Sequence, residues 1–259
     1  MTKFWIIAAT ALIVLGALLL VSALSSSGWD FSKLATQKLV TNSYDISRDF
    51  SVISIDTVTS DVIFASADDG KCRVVCLEEE KAKHSVDVID GVLTVKLIDE
   101  RKWHDHIGIN FSSPKITVYL PKKEYSDLSV KLSTGDVYIR SDLTIESIEL
   151  SATTGDVLIE NVKCKALIST GTTGDIEMKN VIADKKMSIE RTTGDVELER
   201  CDGGEIFIET TTGDVEGSLL SGKNFIASSS TGDIKVPKST SGGKCEIKVT
   251  TGDIEITVE

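Results

Sequence analysis

The sequence predicts an all-β protein: a single β-solenoid with turns of about 19–20 residues, an irregular N-terminal β cap, and one transmembrane helix before it. Three observations predict this fold class. A Thr-Gly-Asp tripeptide recurs seven times, apolar residues alternate on both sides of each copy, and small residues are plentiful while only 5% of the chain is aromatic. Self-similarity at a fixed period of this length is typical of solenoids, in which stacked turns bury a common core.

Each copy of the repeat places one glycine between a threonine and an aspartate. The glycines are Gly135, Gly155, Gly174, Gly194, Gly213, Gly232 and Gly252, spaced by 20, 19, 20, 19, 19 and 20 residues. Val or Ile always follows two residues after the glycine, and apolar residues also lie seven and five residues before the next one. Spacing by two is strand periodicity, with alternate side chains on one face. Each repeat therefore predicts two short strands joined by turns.

The seven aspartates of the repeats form a column in the predicted stack, with neighbours about 4.8 Å apart. They are Asp136, Asp156, Asp175, Asp195, Asp214, Asp233 and Asp253. Neighbouring carboxylates repel by about 1 kcal/mol in water and by more at lower dielectric. The column is interpreted as a solvated ladder bonded to turn amides, and calcium bridging the turns is the alternative. A catalytic role does not fit, because the feature repeats and active sites are asymmetric.

The N-terminal segment predicts a membrane anchor at residues 1–24. Phe4 to Leu24 is uncharged and almost wholly apolar, and 21 residues of helix measure about 31 Å, enough to cross the hydrocarbon core. Lys3 precedes this segment, so the positive-inside rule places the N-terminus in the cytoplasm and the bulk outside the plasma membrane. The small residues Val21-Ser22-Ala23 leave a cleaved signal peptide as the alternative.

The rest of the chain divides into a tether at residues 25–45, an irregular β cap region at 46–127 and the repeats at 128–259. In the cap region, Thr59-Ser60-Asp61-Val62 resembles a degenerate copy of the repeat, and Asp90-Gly91 is a two-residue hairpin signal. The chain stops after an uncapped strand that begins at Ile254. This predicts an open C-terminal edge that docks a partner or a second copy.

Composition and motifs argue against several classes of function. The formal net charge of −12 does not suit nucleic acid, whose phosphates need a basic surface. No catalytic motif or cofactor-binding motif is present, so the chain is not expected to be an enzyme or to hold a cofactor other than the calcium considered above. His104 and His106 could share one face of a strand and bind zinc, although an exposed loop is the simpler interpretation. The five cysteines show no disulfide spacing and are interpreted as core residues.

The tandem Ser/Thr-Thr-Gly-Asp-Val/Ile copies, behind an N-terminal apolar segment, resemble a bacterial, Firmicutes-type "putative adhesin" family of unknown function over residues 46–259. The resemblance implies a membrane-tethered, extracytoplasmic protein of the cell envelope. The leading hypothesis is a non-enzymatic binding or scaffold module that contacts an envelope protein or a cell-wall or surface glycan. The alternatives are an envelope-stress accessory acting through a membrane protein and, third, a polysaccharide-acting enzyme.

Overall fold

The computed structural model describes residues 2–26, 28, 38–102, 113–239 and 241–259. The chain separates into two compact units, one formed by residues 1–38 with 101–112 and the other by residues 39–100 with 113–259. The first unit contains the helix α1 (Thr2–Ser26), whose window Ala9–Ser26 has a mean hydropathy of 2.2 and is long enough to cross a membrane. An apolar N-terminal helix is therefore confirmed, while its insertion and orientation stay predictions.

The second unit contains eighteen strands in the described part of the chain. They are β1 (Leu39–Ile46), β2 (Val52–Asp56), β3 (Asp61–Ser66), β4 (Cys72–Glu79), β5 (Ala82–Ile89), β6 (Val92–Asp99), β7 (Lys115–Leu120), β8 (Glu124–Thr134), β9 (Val137–Thr154), β10 (Val157–Thr173), β11 (Ile176–Lys179), β12 (Ile182–Thr193), β13 (Val196–Thr212), β14 (Val215–Leu219), β15 (Asn224–Thr231), β16 (Ile234–Lys235), β17 (Lys244–Thr251) and β18 (Ile254–Val258). Strand β1 begins inside the stretch that the sequence assigned to the tether.

The prediction of a single β-solenoid is wrong, although the protein is all-β. Strand pairing closes a ring of eight strands in the order β2, β6, β5, β4, β7, β3, β9, β8 and back to β2, which makes a closed barrel with extra strands. Within this ring β4 pairs antiparallel with β5 and β7, and β5 with β6. The physical reason is local: the Asp90-Gly91 turn, with both residues at positive φ, folds β5 back onto β6 as a hairpin.

The repeats add parallel layers to this barrel, and we call residues 128–259 the repeat stack. Successive layers pair in register at the repeat spacing, so that Leu167 lies between Ile148 and Met187. The predicted column of apolar residues seven positions before each glycine is confirmed in the inner layers, whereas Phe225 on β15 is only partly buried. The inner members Leu128, Ile148, Leu167, Met187, Ile206 and Cys245 are each at most 2% exposed. Burial of these columns holds the layers together, because no repeat encloses its own apolar face.

Glycine is required at the turn of each layer because the layers touch there. Gly155 has φ +140°, and a Cβ built on it would lie 1.9 Å from the carbonyl oxygen of Gly135. In the layer before, a Cβ on Gly135 would lie 2.6 Å from the carbonyl oxygen of Ser60. Ser60 therefore occupies the place of the repeat glycine. This confirms that Thr59-Ser60-Asp61-Val62 is a degenerate copy of the repeat. The barrel and the repeats join at this turn.

The layers do not follow chain order at the far end of the repeat stack. Strand β17 lies between β13 and β15, and β18 pairs with both β14 and β16. The last repeat is thus inserted beneath the one that precedes it in the sequence. The prediction that the C-terminal strand is the end of the stack is wrong. The outermost layer consists of β15 and β16, which we call the edge pair.

Candidate binding edge and buried polar network

The repeat aspartates form a hydrogen-bonded ladder along the stack. The Oδ1 atom of each accepts the backbone N–H of the aspartate in the next layer, as Asp175 does from Asp195 at 2.8 Å. The order of the ladder is Asp61, Asp136, Asp156, Asp175, Asp195, Asp214, Asp253 and Asp233, with N–O distances of 2.7–3.2 Å. This geometry supports the turn-ladder interpretation, and calcium binding stays a prediction. His104 and His106 lie outside the described residues.

The ladder ends at Asp233 in the edge pair. The amide of Asp233 donates to Asp253 at 2.7 Å, as in every inner layer. No donor in the described part of the chain reaches the Asp233 carboxylate in turn. The position where another layer would supply an N–H is therefore open.

The edge pair carries little charge and exposes apolar side chains among polar Asn, Ser and Thr residues. Strand β15 reads Asn-Phe-Ile-Ala-Ser-Ser-Ser-Thr and contains no charged residue. In the described part of the chain it pairs only with β17, and β16 pairs only with β18. Ile226 is 50% exposed and Ile234 43%, while Phe225, Ala227 and Val236 pack partly buried against the core. Proteins usually protect a free edge with charges, proline or a covering segment. Strand β15 contains neither a charged residue nor a proline.

A buried polar network lies in the barrel, around a glutamate and a histidine that the sequence analysis did not single out. The Glu78 carboxylate and the His84 ring are almost fully buried, and His84 Nδ1 lies 2.8 Å from Glu78 Oε2. The same Oε2 accepts the backbone N–H of His84 at 2.6 Å, and Oε1 accepts the amide of Asn42 at 2.6 Å. On the other side of the ring, His84 Nε2 lies 2.9 Å from the Thr57 hydroxyl, which donates to Ser60. We call these five residues the Glu78 network.

The Glu78 network is built by the hairpin from β4 to β5. Cys76 and Glu78 are two residues apart on β4, so their side chains share the inner face, and β5 begins only two residues after β4 ends. Tyr44 on the neighbouring β1 donates its hydroxyl to the His84 carbonyl at 3.2 Å. Burial and the nearby Glu78 raise the pKa of Tyr44. The two-residue spacing of Cys76 and Glu78 was readable in the sequence, but their contact with His84 was not.

A shallow groove of about 460 Å³ lies on the flank of the repeat stack. Asn161, Asn180 and Arg200 line it and occupy equivalent turns at positive φ. The Asn180 amide donates to Asn161 Oδ1 at 3.1 Å, and the Arg200 guanidinium is held by Glu259. These polar groups bond mainly to each other, so the groove is a weaker candidate than the edge pair.

Barrel, repeat stack and free edge together define a class of all-β repeat proteins with one closed end and one open end. The chain belongs to the Toastrack DUF4097 family, whose model matches residues 50–259. This supports the family resemblance inferred from the repeats, whereas the Firmicutes-type origin stays a prediction. A search of the curated proteins found no match.

Solved structures with a similar fold carry related names. The chain is similar to a "putative adhesin" from Bacteroides fragilis, with 21% identity, a TM-score of 0.52 and coverage of 85% of this chain and 97% of that one. It also resembles a "putative adhesin" from Parabacteroides distasonis (13%, 0.45, 85% and 98%) and a "putative lipid binding protein" from the same organism (14%, 0.49, 86% and 98%). At these identities the likeness shows the fold alone.

Proposed function

We propose that this protein is a membrane-anchored, extracytoplasmic, non-enzymatic binding module of the cell envelope, and that it binds a partner protein along the edge pair. The observation that carries the proposal is β15, an eight-residue strand that is uncharged, half exposed and paired on one side only. A soluble protein that left this edge free would risk aggregation. A covering partner removes that risk.

The chemistry of the edge favours a polypeptide as partner. A free strand edge offers a row of backbone N–H and C=O groups, which another extended chain satisfies by strand addition. The open ladder position at Asp233 adds an acceptor for one further N–H. A glycan has no regularly spaced N–H and C=O groups and could not pair with this row of backbone groups.

Two further features support the proposal: the apolar N-terminal helix and the burial of the Glu78 network. Helix α1 is apolar along its length and supplies the membrane attachment. The carboxylate, imidazole and hydroxyl of the Glu78 network resemble a catalytic relay, yet Thr57 is 3% exposed and Ser60 2%. A buried hydroxyl meets no substrate from solvent, so this network does not support an enzymatic function. The adhesin names of similar structures agree with a binding role, and we place the partner protein in the envelope of the same cell.

The test uses a proline that blocks the edge without breaking the fold. Asn224 donates its N–H to Gly243 across the β15–β17 pair at 2.9 Å. Because N–H groups alternate in direction along a strand, the N–H of Ala227 points to the free side. Proline is tolerated at such a position. Ala227→Pro should therefore leave the melting temperature nearly unchanged and obstruct an added strand.

We expect the full-length protein to co-purify from its own membranes with one recurrent envelope protein, and Ala227→Pro to lose it. The matched control is Ile168→Lys, which should keep the partner. Ile168 is 37% exposed, but it lies on β10, which is paired on both sides. Recovery of the same protein with Ala227→Pro, or of wall polymer or a second copy alone, would contradict the proposal.

A further inference from the structure

A group of three metal-binding side chains lies buried in the barrel. The Cys76 sulfur, a Glu78 carboxylate oxygen and a His84 ring nitrogen all lie within 4.8 Å of one another. Cys76 and Glu78 are 0% exposed and His84 is 3% exposed. No other group of three or more such residues is this close in the described part of the chain. The aspartate ladder does not form one.

We propose that Cys76, Glu78 and His84 bind one Zn²⁺ ion. Thiolate, imidazole and carboxylate are the three ligand types that zinc uses, in four-coordinate sites. Calcium and magnesium instead require six or more oxygen ligands, or an octahedron of oxygens. The donor set therefore selects a borderline-soft cation, and these three side chains fill three of its four coordination positions.

The surroundings of the three side chains match those of a metal site. Metal-bound imidazoles usually hydrogen-bond through the second ring nitrogen, and metal-bound carboxylates are hydrogen-bonded in turn. His84 Nε2 lies 2.9 Å from the Thr57 hydroxyl, and this hydroxyl donates a hydrogen bond to Ser60. The second carboxylate oxygen of Glu78, Oε1, accepts a hydrogen bond from the Asn42 amide at 2.6 Å. Zinc would replace the proton now shared by His84 Nδ1 and Glu78 Oε2.

Cys76 distinguishes this site from a purely structural hydrogen-bond network. The buried thiols of Cys164 and Cys201 each donate to a backbone carbonyl. Cys72 and Cys245 have no hydrogen-bond partner in the described part of the chain, but only Cys76 lies beside both a carboxylate and an imidazole. The Cys76 thiol has no hydrogen-bond partner in the described part of the chain, although Asn42 on β1 lies directly opposite in the strand pair. A hydrogen-bonded Glu–His pair alone has no need of a sulfur beside it.

Zinc binding at this site must release the Cys76 proton. Burial, with a smaller contribution from Glu78, raises the pKa of the Cys76 thiol to about 12. A ligating thiol is deprotonated by the metal.

Cobalt(II) is the probe, because a cobalt–thiolate bond gives a charge-transfer band in the near ultraviolet. We expect the full-length protein in detergent, stripped with EDTA and then titrated with Co²⁺, to show this band at one ion per chain, and Zn²⁺ to abolish it. Cys76→Ala should remove the band. The matched control Cys245→Ala, another fully buried thiol, should keep it.

Thr57→Val tests the outer hydrogen bond and should weaken cobalt affinity about 10- to 100-fold. Circular dichroism shows whether each variant is folded. Absence of the thiolate band in the wild-type protein, or its persistence in Cys76→Ala, would overturn the proposal. Neither result depends on a partner at the edge pair, so this proposal and the proposed function can fail separately.

Discussion

The two ends of the strand system solve the problem of a free edge in different ways. At the barrel end the outer strand β1 also pairs on one side only in the described part of the chain, with β4. It presents Asp45, whose carboxylate is held by Arg73 at 2.9 Å, and antiparallel pairing closes the ring behind it. At the other end β15 has no charge and, among the described residues, no further layer beyond it. A closed and defended end suits stability, whereas an undefended edge suits binding. Under the proposed function, the difference means that the repeats are a spacer ending in a docking strand.

The largest expected effect lies at the barrel end. Glu78→Ala leaves the amides of Asn42 and His84 and the His84 ring without their acceptor inside the barrel. Removing one partner from such a buried pair destabilises by about 3 kcal/mol or more. Urea unfolding in EDTA measures the loss. The exposed Glu80→Ala should change the free energy of unfolding by less than about 0.5 kcal/mol, and equal effects of the two would contradict the account.

A second comparison sets a central layer against the edge pair. Ile208 on β13 is 0% exposed, whereas Ile226 on β15 is 50% exposed. Ile208→Ala should cost about 2–4 kcal/mol through lost burial and a cavity. Ile226→Ala should cost less than about 1 kcal/mol in the isolated protein. Similar losses in thermal or urea unfolding would mean that β15 is covered.

The aspartate ladder gives a smaller contrast. Asp175→Ala removes the acceptor of the Asp195 amide and should cost about 1 kcal/mol, whereas Asp233→Ala, at the open end, should cost nearly nothing. The difference between the two melting temperatures is the measurement.

The same variants test the calcium alternative. We expect added calcium to leave the wild-type melting temperature unchanged, since each inner carboxylate already accepts an amide proton. A rise of several degrees that Asp175→Ala abolishes would show that calcium bridges the ladder instead.

The smallest effect is a pH dependence in the layer beneath the edge pair. On β17, Glu246 lies 2.6 Å from both Lys244 and Lys248, and their hydrogen bonds lower its pKa to about 2 from 4.5. A lowered folded-state pKa stabilises the protein above the unfolded value and loses that contribution as pH falls toward 2. The free energy of unfolding of the wild type should therefore be slightly larger than that of Glu246→Gln near neutral pH. This difference should disappear on acidification. A constant difference would contradict this.

The periodic features of the fold were predictable from the sequence. The glycine spacing gave the layers, the alternation gave the buried columns, and Asp90-Gly91 gave the β5–β6 hairpin. Ser60 and Asp61 could be recognised as a degenerate turn because Asp and the following apolar residue survive there. Each of these follows from short-range geometry, which residue spacing reports directly.

The partners of the strands were less predictable. Alternation shows which side chains point inward but not whether the neighbour runs parallel or antiparallel, so the closure of β4–β7 into a barrel was missed. Like repeats pair equally well with one another, so the spacing of Gly213, Gly232 and Gly252 could not reveal that the last layer is inserted. The Glu78 network depends on the same long-range pairing, which is why residue spacing did not reveal it.

The most direct test of the central claim is site-specific photo-cross-linking in the protein's own cells. A photoreactive residue replaces Ile226 on the edge pair or, as control, Ile168 on the flank of the repeat stack, and mass spectrometry identifies what is attached. The account predicts one recurrent envelope protein from position 226 and little or none of it from position 168. Equal attachment at both positions, or none at position 226, would contradict a docking edge.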